Sequence, residues 1–422
     1  VDNVAGLECT ICGARYRPDE VDYVCPQHGD EGILDVVYDY DAVRERLTQS
    51  RLANSGDKSM WRYLPLLPVQ ADLALRLARG TPLGNVGGTP LYEADRLASD
   101  LGVKWLGVKD DTCEPTASFK DRASAIAVVK GREMGARVIS TASTGNAAAA
   151  LAGMCAAVGQ QSVIFVPRSA PEAKVTQLLA YGAVVLLVDG TYDQAFELCL
   201  EAAREFGWYN RNTAYNPYMS EGKKTAALEI CEQLEWAVPE WIFVPVGDGC
   251  IIGGIHKGLR DLMSLGWIDH MPRLAGVQAA GSSPLVDAWE RGLEGWEMEP
   301  VEVHTVADSI CAGLPRDRNK ALRAVRETDG VFVSVADERI LEAIPTLARD
   351  CGVLAEPAGA AAYAGLVQAL ERGIVGQQDR IVVLATGSGL KDISSVRKGV
   401  QRAAVVVEPN LDAVRQAVQG LQ

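Results

Sequence analysis

The sequence predicts an α/β protein of two open, mostly parallel, doubly wound domains, with a separate cysteine-rich ribbon in front. Three observations carry this. Short aliphatic runs alternate with segments of helical length across most of the chain, the pattern of strand–helix–strand crossovers in parallel sheets. Several runs are continuously apolar, as strands covered on both faces must be. The chain has 422 residues, which exceeds a single barrel of about 250 residues and is enough for two or three domains.

The first forty residues hold cysteine pairs, few aliphatics and short strand-like pieces. From Asp41 to about Gly80, Arg and Leu recur at helical spacing, interrupted where Pro65 and Pro68 fall close together, and Gly87-Gly88-Thr89-Pro90 marks a turn. Strands are then expected at 103–109, 137–140, 162–167, 183–188, 241–246, 274–278, 331–335 and 381–385. Crossover helices are expected at 118–134, 146–158, 171–181, 192–206, 221–234 and 337–350, with another after Gly254. A strand-and-helix appendage is expected over 405–422. This order divides the chain into a ribbon (1–40), a smaller α/β unit (96–209), and a larger unit made from 41–95 and 210–422.

Composition narrows the function. Hydrophobic residues make up 48% and charged residues 23%, the balance of a soluble globular chain. The longest small and apolar run, 147–159, is too short to span a bilayer. Lys and Arg number 41 against 55 Asp and Glu, a net charge of −14. With no local basic patch, neither nucleic acid nor an anionic membrane is an expected partner. No basic segment followed by an apolar run opens the sequence, so no secretion signal is expected. There are ten cysteines, and Cys113, Cys155, Cys199, Cys231, Cys311 and Cys351 follow no spacing, which fits a reducing compartment, the cytoplasm.

Three other cysteines form a pattern. Cys9-Thr10-Ile11-Cys12 is followed, after twelve intervening residues, by Cys25-Pro26-Gln27-His28. Two such knuckles offer four soft ligands for a tetrahedral zinc ion, and with every position filled by protein the zinc is structural. Gly13 and Gly29 stand just past each knuckle, where a tight turn needs positive φ.

Three segments of the main body carry chemistry. Glu114-Pro-Thr-Ala-Ser-Phe-Lys-Asp-Arg122 follows a strand and opens a helix. It places Lys120 in a first turn, where the helix dipole disfavours the ammonium and favours a nucleophilic amine. Ser140-Thr-Ala-Ser-Thr-Gly-Asn146 also joins a strand to a helix, and its free N–H groups and hydroxyls form a cradle for a carboxylate. Val246-Gly-Asp-Gly-Cys-Ile-Ile-Gly-Gly254 lets backbone N–H groups approach a phosphate. It is not a dinucleotide fingerprint, since Ile252 fills the third glycine position. Asp248 must turn its carboxylate away from such an anion. An amine, a carboxylate cradle and a phosphate cup at the ends of parallel strands fit pyridoxal phosphate and an amino-acid substrate. A fourth strand end, Ala385-Thr-Gly-Ser-Gly-Leu-Lys-Asp392, offers the Thr386 and Ser388 hydroxyls. A neutral hydroxyl facing the pyridine nitrogen moderates the electron sink and favours elimination and replacement over transamination.

From about Thr81 to Lys391 the sequence resembles the fold-type II pyridoxal phosphate enzymes, the tryptophan synthase β-like superfamily, and within it the threonine synthases. The resemblance runs through Gly88-Thr-Pro-Leu91, Pro115-Thr-Ala-Ser-Phe-Lys-Asp-Arg122, Ser143-Thr-Gly-Asn146, Glu221-Gly-Lys-Lys-Thr225, Glu356-Pro-Ala-Gly-Ala360 and Thr386-Gly-Ser-Gly-Leu-Lys-Asp392. The zinc-ribbon start also looks like one found in some threonine synthases. The resemblance implies that Lys120 forms the Schiff base with the cofactor, that Phe119 flanks the ring and that Asn146 bonds its phenolic oxygen. It implies that Gly247, Asp248, Gly249, Cys250 and Ile251 line the cofactor phosphate, that Thr386 faces the pyridine nitrogen, and that Ser143, Thr144 and Gly145 hold the substrate carboxylate. The larger unit would then be the cofactor-binding domain. The implied reaction converts O-phosphohomoserine and water to threonine and phosphate by γ-elimination and β-addition, with Lys120 moving protons. A homodimer is implied.

The sequence also departs from the family pattern. Ala117 and Ala123 stand where Gly is usual, and Ser388 where His is usual. Where the family commonly uses Asn, Ser and Arg for the substrate phosphate, Thr213, Ala214 and Met219 stand here. Arg211, Lys223 and Lys174 are the candidate replacements. The missing Arg keeps open a threonine or serine ammonia-lyase on the same scaffold, which needs no distal phosphate site.

Overall fold

The structure, a computed structural model, describes residues 3–400 and 402–419. Strands β1 (Val4–Cys9), β2 (Arg15–Tyr16) and β3 (Leu34–Tyr38) form an antiparallel sheet in the order β2-β1-β3. Helices α1 (Tyr40–Arg46), α2 (Gln49–Ala53) and α3 (Ala71–Ala78) follow, with a 3-10 stretch at Met60–Leu66 that contains Pro65. Next come β4 (Leu91–Glu93), α4 (Asp95–Leu101), β5 (Trp105–Asp110) and α5 (Lys120–Glu133). The chain then runs through β6 (Val138–Ala142), α6 (Asn146–Ala157), β7 (Gln161–Pro167), α7 (Glu172–Ala180), β8 (Val184–Val188), α8 (Tyr192–Phe206) and β9 (Tyr209–Asn210). Helices α9 (Tyr218–Lys223) and α10 (Thr225–Gln233) lead to β10 (Trp241–Pro245), α11 (Cys250–Leu265), β11 (Arg273–Ala279), α12 (Pro284–Glu290) and α13 (Arg318–Glu327). The last elements are β12 (Val331–Val335), α14 (Asp337–Cys351), α15 (Pro357–Glu371), β13 (Arg380–Ala385), α16 (Ile393–Gly399) and α17 (Leu411–Ala417).

Two further sheets carry the body. One has the order β12-β11-β10-β13-β5-β4, parallel except for the antiparallel edge strand β4; the other has the order β8-β7-β6-β9 and is parallel. Alternate residues of each strand enter opposite layers, as period-two side chains require. Ile242, Val244, Val382 and Leu384 pack into one core, while Trp241, Phe243, Ile381 and Val383 pack with α14 and α15 on the other face. In the smaller sheet Val163 and Phe165 meet α8, and Ile164 and Val166 meet α6 and α7. Both sheets are therefore covered by helices on both faces, as the continuous apolar runs predicted.

Four details differ from the expectation. The boundary at 96 does not follow the sheets, because β5 pairs with β13 in the larger one. Strand β8 is the edge of its sheet, and Val184, Leu186 and Leu187 are exposed instead of covered. The helix expected at 221–234 begins earlier, at Tyr218, after Asn216 Oδ1 accepts from the Tyr218 N–H at 3.0 Å. It divides at Lys224, which keeps helical angles. Over its described residues, 405–419, the C-terminal appendage has α17, capped by Asn410, but no strand, and the rest of the expected segment lies outside the described residues. Val405 and Val406 are exposed, and β-branched residues form a strand only where a neighbouring edge pairs with them.

Candidate active site

Four helices begin where the parallel strands end. Helix α5 opens at Lys120, held by a bridge between Ser118 and Gly387 and by the Phe119 N–H donating to the Thr386 carbonyl at 2.9 Å. Helix α15 opens behind Glu356, α6 at Asn146 and α11 at Cys250. Asn146 Nδ2 donates to Glu356 Oε1 at 2.7 Å, which joins the loop after β6 to the start of α15. A Cβ on Gly387 would lie 2.3 Å from that oxygen, so only glycine leaves room for the pair.

Helix N-termini carry partial positive charge, and their convergence disfavours a cation at the centre. Lys120 is half-buried there, and its pKa lies below the ordinary lysine value. Burial is the largest cause and Arg211 adds to it, while Glu356 acts in the opposite sense. The Glu356 carboxyl is itself pushed up by burial. An amine with a lowered pKa suits imine formation and proton transfer.

The glycine loop before α11 fits a phosphate. Gly249 takes φ +87°, and a Cβ on Gly247 would meet Ile310 Cα at 2.8 Å. The N–H groups of Gly247, Asp248, Gly249, Cys250 and Ile251 donate to no described residue, and no acidic residue occupies the first turn of α11. Asp248 Oδ1 instead accepts from the Arg316 N–H at 3.3 Å, which turns the carboxylate toward the segment before α13 as an anion cup requires.

In the Ser143-Thr144-Gly145 loop the Gly145 N–H donates to Ser143 Oγ at 3.2 Å. Thr144, Gly145 and Asn146 line a narrow pocket of about 30 Å³ together with Lys174, Glu356 and Lys391. Lys174 is paired with Asp308. A larger cavity of about 620 Å³ lies beside Trp61 and Arg79 and includes none of these residues, so volume is a poorer guide here than chemistry. The Thr386 hydroxyl bonds no described residue, whereas Ser388 Oγ accepts from the Leu390 N–H. Phe119 is fully buried with its ring 5.6 Å from the Arg122 guanidinium.

Several motif residues turn out to be structural. Arg122 is fully buried and bonds Asp111 at 2.6 Å, Glu229 at 2.6 Å, Thr89 and Thr225. Lys109 adds a second cation on Glu229 at 2.7 Å. Despite the cost of burial, these cations hold the Glu229 carboxyl down at about 2. The network brings three separated sequence blocks together beneath Lys120 and fixes the start of α5. Glu356 received no assigned role from sequence, and Lys223 only that of a candidate replacement for the Arg missing from the substrate-phosphate pattern. The sequence signals for Glu356 were its place in the Glu356–Ala360 block and an acidic residue just ahead of a helix.

At the other end of the chain Cys9, Cys12, Cys25 and His28 place their ligand atoms within 4.8 Å of one another. His28 Nδ1 lies 3.5 Å from Cys25 Sγ and 3.8 Å from Cys9 Sγ. A tetrahedral site with bonds of about 2.3 Å has edges of about 3.8 Å, so the donor set fits zinc. Gly13 and Gly29 take φ +69° and +53°, as the knuckles predicted, and Gly32 is tight against Cys25 and His28.

Residues 83–387 match the family described as pyridoxal-phosphate dependent enzymes. Threonine synthase of Methanosarcina acetivorans is 40% identical over 98% of this chain and 98% of its own length. That of Methanocaldococcus jannaschii is 38% identical over 91% of this chain and 92% of its own length. Among solved structures, threonine deaminase isoform 2 of Solanum lycopersicum superposes with a TM-score of 0.65 at 25% identity, covering 79% of this chain and 90% of that one. Diaminopropionate ammonia lyase of Escherichia coli shares the fold, with a TM-score of 0.64 at 22% identity, 80% of this chain and 93% of that one. A lowered lysine, a phosphate-shaped cup and near full-length similarity agree: the chain belongs to the pyridoxal-phosphate dependent enzymes, among the relatives of threonine synthase.

Proposed function

We propose that this protein is a carbon–oxygen lyase that converts O-phosphohomoserine and water to threonine and phosphate, a step of amino-acid biosynthesis. The observation that carries the reading is Lys120, with its pKa lowered, standing between the Asn146–Glu356 pair and the N–H cup of α11. Lys120 would hold the cofactor aldehyde, the 247–251 loop its phosphate, Asn146 its phenolic oxygen and Thr386 its pyridine nitrogen. When bound, pyridoxal phosphate supplies an electron sink for charge left at the substrate carbons.

The chain's own residues do the rest. The Ser143, Thr144 and Gly145 loop orients the substrate carboxylate. Once the substrate amine has displaced it, the Lys120 amine takes the α proton and carries protons between Cα, Cβ and Cγ as phosphate leaves Cγ and water adds at Cβ. Glu356 keeps Asn146 oriented. Burial around Lys120 keeps bulk water from competing with these transfers.

The test is incubation of the holoenzyme with O-phosphohomoserine and, separately, with threonine. Release of phosphate with formation of threonine is expected, and both this and the visible absorbance of bound cofactor should vanish in Lys120→Ala. Formation of 2-oxobutanoate from threonine, without phosphate release from O-phosphohomoserine, would instead identify an ammonia-lyase. A structural zinc on Cys9, Cys12, Cys25 and His28 belongs to the same reading and is checked by metal analysis of the purified protein. The homodimer is checked by its mass in solution and the cytoplasmic location by fractionation. Among the described residues no helix is long and apolar enough to cross a membrane.

A further inference from the structure

Near Lys120 lie two more cations that the proposed chemistry does not use. Lys223, on α9, is fully buried, and Arg211 is 1% exposed. Among the described residues neither forms an ion pair, although Arg122, Lys109 and Lys224 each have carboxylates at 2.6–2.7 Å. Lys223 Nζ bonds only neutral oxygens, donating to Thr213 Oγ1 at 2.6 Å and to the Met219 carbonyl at 3.4 Å. Arg211 Nε reaches Ser124 Oγ, one turn along α5 from Lys120, and its Nη2 is buried without a partner. Burying one unpaired cation forfeits its hydration with nothing in return, and two side by side add their mutual repulsion. A structure keeps such a pair when an anion completes it.

The cofactor's phosphate has its own donors in the free N–H groups of 247–251 and the α11 dipole; both cations also lie near Cys250 at the start of α11, so cofactor affinity is the readout that separates the two anions. Lys174, the third cation considered from sequence, is occupied by Asp308. Met219 stands where related enzymes commonly carry Arg, and Lys223 is four residues on, one helical turn away on the same face. Gly254 makes room for it: a Cβ there would lie 2.6 Å from Lys223 Cβ.

We infer that Lys223, with the Thr213 hydroxyl and Arg211 beside it, forms the subsite that takes the phosphomonoester of the substrate and so sets specificity for a phosphorylated amino acid. This rests on the function proposed above and names the residues that supply its missing phosphate recognition. A single ammonium held by a hydroxyl replaces the bidentate fork of an Arg, so the subsite binds by charge more than by shape.

The test uses the holoenzyme, Lys223→Met, Lys223→Arg and Thr213→Val. For Lys223→Met the KM for O-phosphohomoserine and the Ki for inorganic phosphate should both rise roughly 10- to 100-fold, the effect of losing one charge-assisted hydrogen bond in a buried site. Cofactor affinity and its visible absorbance should stay as in the parent. Lys223→Arg should remain within about 5-fold of the parent, and Thr213→Val should show a smaller loss in the same two constants. The inference is overturned if Lys223→Met leaves both constants unchanged, or if its chief effect is loss of cofactor. Should the parent release no phosphate from O-phosphohomoserine, the function proposed above fails, yet the subsite is still decided. Titration of the cofactor absorbance with inorganic phosphate upholds it if the response needs Lys223 and overturns it if Lys223→Met responds equally.

Discussion

Asn146 Nδ2 and Glu356 Oε1, separated by 210 residues in sequence, lie 2.7 Å apart and tie the first turn of α6 to the start of α15. Glu356 is also the strongest influence raising the Lys120 pKa against burial. The two roles separate by substitution. Glu356→Gln keeps an acceptor for Asn146 but removes the charge, so the Lys120 pKa falls and the acid limb of the kcat profile moves to lower pH by roughly half a unit to one unit. Glu356→Ala also frees the Asn146 amide and should lower kcat roughly 100-fold. Profiles of kcat against pH for the two variants check this; coincidence of both with the parent would remove Glu356 from the site.

Ala117 sits at φ +63°, in the left-handed region, one turn before Lys120. A Cβ there costs about 1–2 kcal/mol, and glycine returns part of the gain through its freer unfolded chain. Ala117→Gly is therefore expected to stabilise the fold by about 0.5–1 kcal/mol, read as a higher midpoint of urea denaturation. A lower midpoint would mean that the Ala methyl contributes packing greater than its strain.

These two positions mark how far the sequence could be read. Ala117 was visible as a departure from the glycine usual in related enzymes, because a single residue type reports a single backbone angle. The strands were legible because buried parallel strands are continuously apolar, and Lys120 because a loop between strand and helix announces a site. The partners of Arg122 were not legible. Asp111, Glu229, Thr89 and Thr225 come from three blocks that look unrelated until β5, α5 and α10 pack together. Glu356 stayed unassigned, and Lys223 stayed one of three candidate cations, for the same reason, since what defines them is the charge of their spatial neighbours. The exposure of β8 was illegible too: edge position depends on strand order, which hydropathy alone does not contain.

The ribbon reaches the site. Ile33, five residues past His28 of the second knuckle, packs in one buried cluster with Ala214 and Cys250, the residue that opens α11. Asp35 receives Lys320 at 2.8 Å, and Tyr38 donates to Glu221 at 2.5 Å. Stripping the proposed zinc from the knuckles should thus lower the thermal midpoint by a few degrees, since each kcal/mol shifts the midpoint of a chain this long by only about 1–2 °C. It should also weaken cofactor binding. Thermal unfolding and cofactor release with and without a chelator check this, and restoration by added zinc separates metal loss from damage. A midpoint that falls while cofactor affinity holds would confine the ribbon to a purely mechanical part.

The Lys223 subsite predicts a pH dependence of definite sign. Burial, with repulsion from Arg211 and Lys120, brings its pKa down to about 7. Cys250 and Asp317 oppose this, and the Thr213 hydroxyl and Met219 carbonyl are its hydrogen-bond acceptors. As pH rises through 7 the ammonium loses its proton, and the site loses the charge that attracts an anion. The Ki for inorganic phosphate should therefore climb by about tenfold per pH unit above pH 7, as expected for binding that requires one proton. At pH 8 binding should take up close to one proton, seen in calorimetry as heats that vary with the ionisation enthalpy of the buffer. In Lys223→Arg the guanidinium stays charged throughout this range, so the climb should disappear. A parent whose Ki stays level from pH 7 to 9 would show that the group meeting the phosphate is not Lys223 but Arg211, whose pKa of about 10 keeps it charged across the same range.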